Sequence, residues 1–382
     1  MSAIRVVVVD DSVVIRRVLA DILDGDPDIE VVATASNGRI GLERIAQHSP
    51  DLVTMDIEMP VMDGVEAVKD LRKTDRRTPV IMFSTLTERG ATATLDALAA
   101  GANDYVTKPA STGSAIAAMD RVRTDLLPRI KALVGRGAAV RRALPTAPTN
   151  APAAPIVTRP RTPGGQPPQV VAIGTSTGGP NALETLLTSL QPRFPVPIVV
   201  VQHMPPLFSR LLAERLDAKT ELQVREAEPG MRLGPGQVVI APGDHHMVVR
   251  QTLAGVIEIQ TNQDAPENSC RPAVDVLFRS VAATYGTRAL GVMLTGMGHD
   301  GLAGSRDLVA AGGEVIAQDE ASSVVWGMPG AVAREGLATD VLPLDVIAAT
   351  LDRRVRRLGS TAPTAGSATS PLRASIGAGH LR

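Results

Sequence analysis

The chain has a single cysteine, Cys270, among 382 residues, so no disulfide can form within it and no multi-thiolate zinc site can be built. Aromatic residues make up only 2% of the sequence, which leaves valine, leucine, isoleucine and alanine to fill the interior. Charge of either sign is not in excess: 39 Lys and Arg stand against 40 Asp and Glu, and a net charge of −1 offers no electrostatic footprint for nucleic acid. No apolar run approaches the ~20 residues of a membrane span. Val6–Val9, followed at once by Asp10 and Asp11, is too short for a signal peptide. A soluble chain in a reducing, cytoplasmic compartment is expected, without membrane insertion and without nucleic-acid partners.

What is present is β–α alternation, twice over. In the first unit the apolar runs are IRVVVVDD, EVVATAS, DLVTMD, PVIMFST and DYVTKP, separated by amphipathic stretches. Continuous valine and isoleucine suits strands buried on both faces, which predicts a parallel, doubly wound α/β sheet whose ligands gather at the carboxyl ends of the strands. The alternation returns with VVAIGTS, PIVVVQHM, QVVIAPG, ALGVMLTG and EVIAQD, and HHMVVRQTLAGVIEIQ reads as an added antiparallel hairpin. Between them, eight prolines fall within the 33 residues from Arg136 to Pro168, with no apolar periodicity. The expected division is a first α/β domain over 1–127, a Pro/Ala-rich linker over 128–168, a second and mostly parallel α/β domain over 169–358, and a disordered tail over 359–382.

Strand ends carry the chemistry. In the first unit Asp10 and Asp11, Asp56, Ser84 and Lys108 each close an apolar run, so a parallel sheet brings them to one edge. Clustered carboxylates there suit Mg²⁺, and a lysine with a hydroxyl suits a phosphoryl group on the central aspartate. In the second unit Ser176 sits in Gly174-Thr175-Ser176-Thr177-Gly178, a strand-to-helix turn fit for a nucleophile or for a phosphate-gripping loop. A nucleophile needs a base. His203 ends the next apolar run and is the first choice over His245, His246 and His299. Asp300, among glycines after ALGVMLTG, is the first choice for the carboxylate that orients the imidazole, ahead of Asp244 and Asp319. The order Ser, His, Asp departs from the Ser, acid, His order of lipase-type α/β-hydrolases.

Residues 4–126 resemble a response-regulator receiver domain, with its flavodoxin-like parallel sheet, through Asp10-Asp11, MDIEMPVMDG, the hydroxyl after PVIMF, and DYVTKP. Together with STGGP, QHMP, APGD, CRPAVDVLF, LTGMGHDG and WGMPGAV, the chain resembles the chemotaxis protein-glutamate methylesterase (CheB) family. The resemblance implies phosphorylation on Asp56, with Mg²⁺ held by Asp11, Asp56 and the backbone carbonyl of Glu58, and with Ser84, Tyr105 and Lys108 as the receiver's switch residues. It further implies hydrolysis of glutamate methyl esters on chemoreceptors by Ser176, His203 and Asp300, with oxyanion donors near Met297 and Thr177, no cofactor for hydrolysis, and glutamine deamidation as a second activity. A histidine kinase as phosphodonor, recruitment to receptor arrays and a block relieved by phosphorylation follow from the same resemblance. Arg271 is a candidate substrate contact and Cys270 a packed small side chain. Thr175 stands where the family often has alanine. The competing reading is a receiver-controlled nucleotide-binding module that uses STGGP without hydrolysis; the loop has no lysine to support it.

Overall fold

The structure, a computed structural model, describes residues 3–108, 115–142, 158–161 and 166–356. The first unit alternates β1 (Ile4–Val9), α1 (Val13–Asp24), β2 (Ile29–Ala35), α2 (Gly38–His48), β3 (Leu52–Asp56), α3 (Gly64–Thr74), β4 (Val80–Ser84), α4 (Glu88–Ala99), β5 (Asp104–Thr107) and α5 (Ala115–Arg142). All its strands are parallel, in the order β2-β1-β3-β4-β5. Alternation sorts the side chains of β1: Val7 and Val9 enter the core on one face of the sheet, Val6 and Val8 the core on the other. Helix starts are chemically marked, since Ser12, Asn37, Asp63 and Thr87 each accept a hydrogen bond from a backbone N–H three residues on. Each such cap is worth about 1 kcal/mol.

The second unit comprises β6 (Val170–Thr175), α6 (Gly179–Ser189), β7 (Ile198–Gln202), α7 (Pro206–Asp217), β8 (Gln223–Glu226), β9 (Gln237–Ile240), the hairpin β10 (His246–Gln251) and β11 (Ile257–Asn262), α8 (Val274–Tyr285), β12 (Ala289–Met293), α9 (Leu302–Ala310), β13 (Glu314–Gln318), α10 (Met328–Arg334), β14 (Asp340–Leu342) and α11 (Leu344–Val355). Seven strands form a parallel sheet in the order β14-β13-β12-β6-β7-β9-β8, and β10 pairs antiparallel with β11 as expected. β6 is therefore central, with β7 on one side and β12 on the other.

The boundary expected at Pro128 is corrected. Residues 128–142, expected to open the linker, continue α5. Val122, Leu126, Ile130 and Leu133 lie at intervals of four, four and three, and all are buried in the core that α1 and the sheet share. Proline inside a helix costs about 3 kcal/mol. Burial of Ile130 and Leu133, at about 1.5–3 kcal/mol each, offsets that. Farther on, part of the expected linker lies against the second unit: Arg159 N donates to Ala338 O at 2.8 Å. Residues 143–157 and 162–165 of the linker, and the chain from 357, lie outside the described residues.

The two units pack together through α4, β5 and α5 of the first and α6 and α7 of the second. Tyr105 stacks on Phe208 with ring centroids 4.7 Å apart and planes 7° from parallel. Asn181 Nδ2 donates to Leu98 O at 2.7 Å, and Arg215 pairs with Asp96 at 2.5 Å. No helix among the described residues is long and apolar enough to cross a membrane.

Gly174 sets the approach of α8 to β6, because a Cβ there would meet Val274 Cγ1 at 2.4 Å. Gly174→Val should destabilise the second unit by about 1–3 kcal/mol. An unchanged urea midpoint would mean that the strand and helix are not held at that separation.

Candidate active site

Three adjacent strands end side by side. β6 runs into Ser176, β7 into His203, and β12 into the loop that carries Asp300; registers Thr175↔Gln202 and Met293↔Gly174 align them. Backbone bonds continue past the strands, with His203 N donating to Thr175 O at 3.1 Å and Ser176 N to Thr295 O at 3.0 Å. The Thr175 hydroxyl, fully buried, donates to the same Thr295 oxygen at 2.9 Å and so ties the nucleophile turn to the end of β12. Gly178 takes φ +77°, and a Cβ there would collide with Val324 Cβ at 2.6 Å, so the turn into α6 requires glycine.

His203 Nε2 lies 2.7 Å from Asp300 Oδ2. Asp300 is buried, and its Oδ1 accepts from Asn268 Nδ2 at 2.9 Å, Gly301 N at 2.9 Å and Asp275 N at 3.1 Å, while Oδ2 also accepts from Val274 N at 2.7 Å. Burial pushes this carboxyl up, but the hydrogen bond and charge of His203, with the amides at the start of α8, hold it below the usual carboxylate range. For His203, burial pulls the imidazole down, but Asp300 and the Cys270 sulfur raise it to about 9. With Nε2 bound to a carboxylate, Nε2 carries the proton, and Nδ1 is the nitrogen available as a base. Cys270 Sγ is 3.7 Å from Nδ1. The thiol expected to be packing alone thus borders the candidate base. The Ser176 hydroxyl makes no direct hydrogen bond to His203 in this structure.

Ser176, His203 and Cys270 line one cavity of about 500 Å³, and Asp104, Tyr105 and Arg129 of the first unit line it too. Asp104 Oδ2 accepts from Thr177 Oγ1 at 2.8 Å and from Arg129 Nη1 at 2.7 Å. The first unit therefore bonds directly to the residue after Ser176. Among the described residues the backbone N–H groups of Thr177 and Met297 have no protein acceptor. Arg271 also lines the cavity, but its guanidinium is bound to Asp244 at 2.6 Å and to the carbonyls of Gln263 and Asp264. Asp319 Oδ1 instead accepts from Ser322, and His299 is exposed. His246 is fixed between Ala273 N and Ala265 O.

At the first unit's sheet edge, ligand atoms of Asp10, Asp11 and Asp56 lie within 4.8 Å of one another. Lys108 Nζ is 2.7 Å from Asp56 and 3.0 Å from Asp10. Burial and the Asp10 charge raise Asp56 to about 6 against the pull of Lys108. Three hard oxygen donors, two of them buried, fit a divalent cation such as Mg²⁺. Glu58 points its carboxylate outward, 3.4 Å from Arg89. Ser84 Oγ is turned toward Thr94 Oγ1 at 2.7 Å and Gly90 O at 3.2 Å.

Comparison with known proteins follows this geometry. Residues 171–351 match the model of CheB methylesterase, and residues 6–120 that of the response regulator receiver domain. The protein-glutamate methylesterase/protein-glutamine glutaminase of Nocardioides sp. is 54% identical over 373 residues, covering 96% of this chain and 100% of that one. The chain belongs to the CheB methylesterase family. The relative of the same name from Trichodesmium erythraeum is 48% identical and covers 93% of this chain and all of its own. Among solved structures, the Thermotoga maritima CheB methylesterase catalytic domain is 44% identical, with a TM-score of 0.48, and covers 49% of this chain and 98% of its own. The receiver of a CheB methylesterase is thus the unit packed over this cavity.

Residues that sequence reasoning passed over are Gln202, Asn268 and Thr295. Each touches a candidate catalytic residue or its neighbour through a side chain whose direction no periodicity reports.

The Arg210–Glu88 and Arg215–Asp96 pairs cross between the two units. Replacing both arginines by glutamate should open the interface by about 1–2 kcal/mol and quicken alkylation of Cys270 by iodoacetamide on the order of tenfold. An unchanged rate would mean that the receiver does not control access to the thiol.

Proposed function

We propose that this chain is a receiver-controlled protein-glutamate methylesterase and protein-glutamine glutaminase, with a receiver domain, a linker and a catalytic domain in that order. The observation that carries this reading is the His203–Asp300 pair beside Ser176, in a cavity that the receiver's Asp104 and Tyr105 help to enclose. Ser176 Oγ attacks the carbonyl carbon of a methylated glutamate side chain, and its proton passes to His203 Nδ1. Asp300 holds the imidazole and balances the imidazolium. The N–H groups of Thr177 and Met297 receive the oxyanion. Collapse of the tetrahedral adduct expels methanol, which takes the proton from His203. Water, deprotonated by the same nitrogen, then frees the glutamate from Ser176. A glutamine side chain follows the same path and releases ammonia.

The nucleotide-binding alternative leaves the buried imidazole–carboxylate pair without a task, and the CheB methylesterase match speaks against it. Substrate is supplied by the methylated helices of chemoreceptors, and the phosphodonor by a histidine kinase, with action at receptor arrays in the cytoplasm. Asp10, Asp11 and Asp56 would hold Mg²⁺, which supplies charge neutralisation for transfer of a phosphoryl group to Asp56. Lys108 grips the incoming phosphoryl oxygens. Ser84 leaves Thr94 and turns toward them. Tyr105, stacked on Phe208, lies on the strand that leads to Lys108, so a change at Asp56 reaches the domain contact through β5.

Methanol release from methylated receptor membranes, with and without acetyl phosphate, tests this. Ser176→Ala should lose turnover by about 10⁴-fold or more while remaining folded. Asp56→Asn should keep basal hydrolysis and lose the stimulation. Turnover retained by Ser176→Ala would sink the hydrolytic reading, and stimulation retained by Asp56→Asn would sink the receiver assignment.

The pH dependence has a definite sign. The base must be neutral, and its imidazole is raised to about 9. Basal kcat/KM, corrected for the Ser176→Ala background, should rise about tenfold per unit from pH 7 and level off near 9. Asp300→Asn removes the carboxylate that raises His203, so the break should move down while the plateau falls. A flat profile between pH 7 and 9 would exclude His203 as the titrating base.

A further inference from the structure

The Ser176, His203 and Asp300 assignment leaves a buried polar side chain at the centre of the site unexplained. Gln202 closes β7 directly before His203 and is 2% exposed. Its Nε2 lies 3.0 Å from the carbonyl oxygen of Ser176 and 3.1 Å from that of His203. Both partners are acceptors only, so the nitrogen, not the oxygen, of the amide must face them. One NH₂ group thus joins the backbone of the candidate nucleophile to the backbone of the candidate base.

The consequence lies at the far end of the Ser176–Thr177 peptide group. A trans peptide is planar, and its C=O and N–H point in opposite directions. The Ser176 oxygen is held by two donors, Gln202 Nε2 and Gly179 N, the latter at 2.8 Å. With that oxygen fixed, the Thr177 N–H is turned the other way. It has no protein acceptor among the described residues. On its other side Thr177 is held as well, since Thr295 Oγ1 donates to Thr177 O at 2.9 Å. The second glycine of STGGP belongs to the same device: a Cβ on Gly179 would fall 1.9 Å from Gln202 Oε1, so only glycine leaves room for the amide.

We propose that Gln202 is a positioning residue for ester hydrolysis, aiming the Thr177 N–H at the oxyanion by anchoring the carbonyl of the same peptide group. This rests on the hydrolase reading of the site and deepens it. Gln202 touches no reacting atom. Its contribution is felt when charge develops on the substrate oxygen, and hardly at all in substrate binding.

The test uses the full chain with Gln202→Met, which matches the side chain in size but cannot donate. Gln202→Asn, which keeps a buried amide but shortens its reach, serves should the methionine variant fail to fold. Loss of one oxyanion donor costs about 10²–10³ in kcat, and a misdirected donor should cost about 10–100-fold. The expected result is that fall in kcat with KM nearly unchanged and with the pH break set by His203 in place. Affinity for a trifluoromethyl ketone analogue of the glutamyl ester, which forms a tetrahedral adduct on serine, should fall in proportion to kcat/KM. The inference is overturned if kcat stays at the wild-type value, if the loss is carried by KM, or if analogue affinity does not change. Ser176→Ala measured alongside separates the two layers. Its inactivity beside fully active Gln202 variants would remove only the role of Gln202, whereas activity in Ser176→Ala would remove the hydrolase reading itself.

Discussion

The Asp300 carboxylate is the interaction on which the rest of the catalytic unit depends. A buried charge without partners costs several kcal/mol, and here five donors surround one carboxylate. Two of them are the first amides of α8, where the helix dipole favours negative charge. Another is Asn268, whose NH₂ also donates to Asp275 at 2.8 Å. Asp275 accepts in turn from Gly304 N at the start of α9, so two helices are oriented by one pair of carboxylates. Burial and the neighbouring Asp300 charge push Asp275 up, which shows how closely the negative charge is concentrated. Of these five donors, His203 is the one that can balance the carboxylate with a positive charge.

The receiver makes economical use of a second carboxylate. Asp104 opens β5, accepts from Tyr105 N, pairs with Arg129 on α5, and receives the Thr177 hydroxyl. Four residues farther along the chain, about 13 Å in strand geometry, Lys108 binds Asp56. One short strand thus connects the candidate phosphorylation site with the turn that follows Ser176. Placing the receiver here does more than cover a cavity. It supplies an acceptor to the nucleophile turn, so displacement of the receiver must also re-partner Thr177. The aromatic stack of Tyr105 on Phe208 supplies apolar area at the same contact, in a chain with very few aromatic residues.

How much of this could be read from the sequence follows from what a strand pattern reports. Ser176, His203 and Asp300 each follow an apolar run, and in a parallel sheet all runs end at one edge, so their meeting needed no knowledge of side-chain direction. The pairing of Asp56 with Lys108 was legible for the same reason. Gln202 was not, because a glutamine closing a strand looks like any polar terminator until its reach across to the neighbouring turn is known. Asn268 was hidden more deeply, in a loop where it takes φ +53°, a conformation that no periodicity signals. The length of α5 was misread for a physical reason, since Pro128 is a local penalty and the apolar stripe that overrides it is a tertiary gain. Cys270 was read by its size, whereas its position is set by the turn through Asn268 and Ser269.

The unusual order of the candidate catalytic residues has a topological origin. In a parallel sheet the strand that bears a nucleophile has two neighbours, and either can carry the base. Here the neighbour reached first, β7, carries histidine, and the neighbour reached after the β10–β11 hairpin and α8, β12, leads into the acid. The lipase order places the acid first, but the imidazole needs only a carboxylate on one nitrogen and the serine on the side of the other. That requirement is spatial, so it is indifferent to which crossover comes first. Thr175 fits this account: its hydroxyl bonds across to Thr295 at the end of β12, joining the strand of the nucleophile to the strand of the acid. Gln202, at the end of β7, makes the corresponding bond from the other side, to the carbonyl of Ser176. The nucleophile turn is thus fastened to both neighbours by side chains as well as by the sheet, and a hydroxyl at position 175 adds a connection that alanine cannot make.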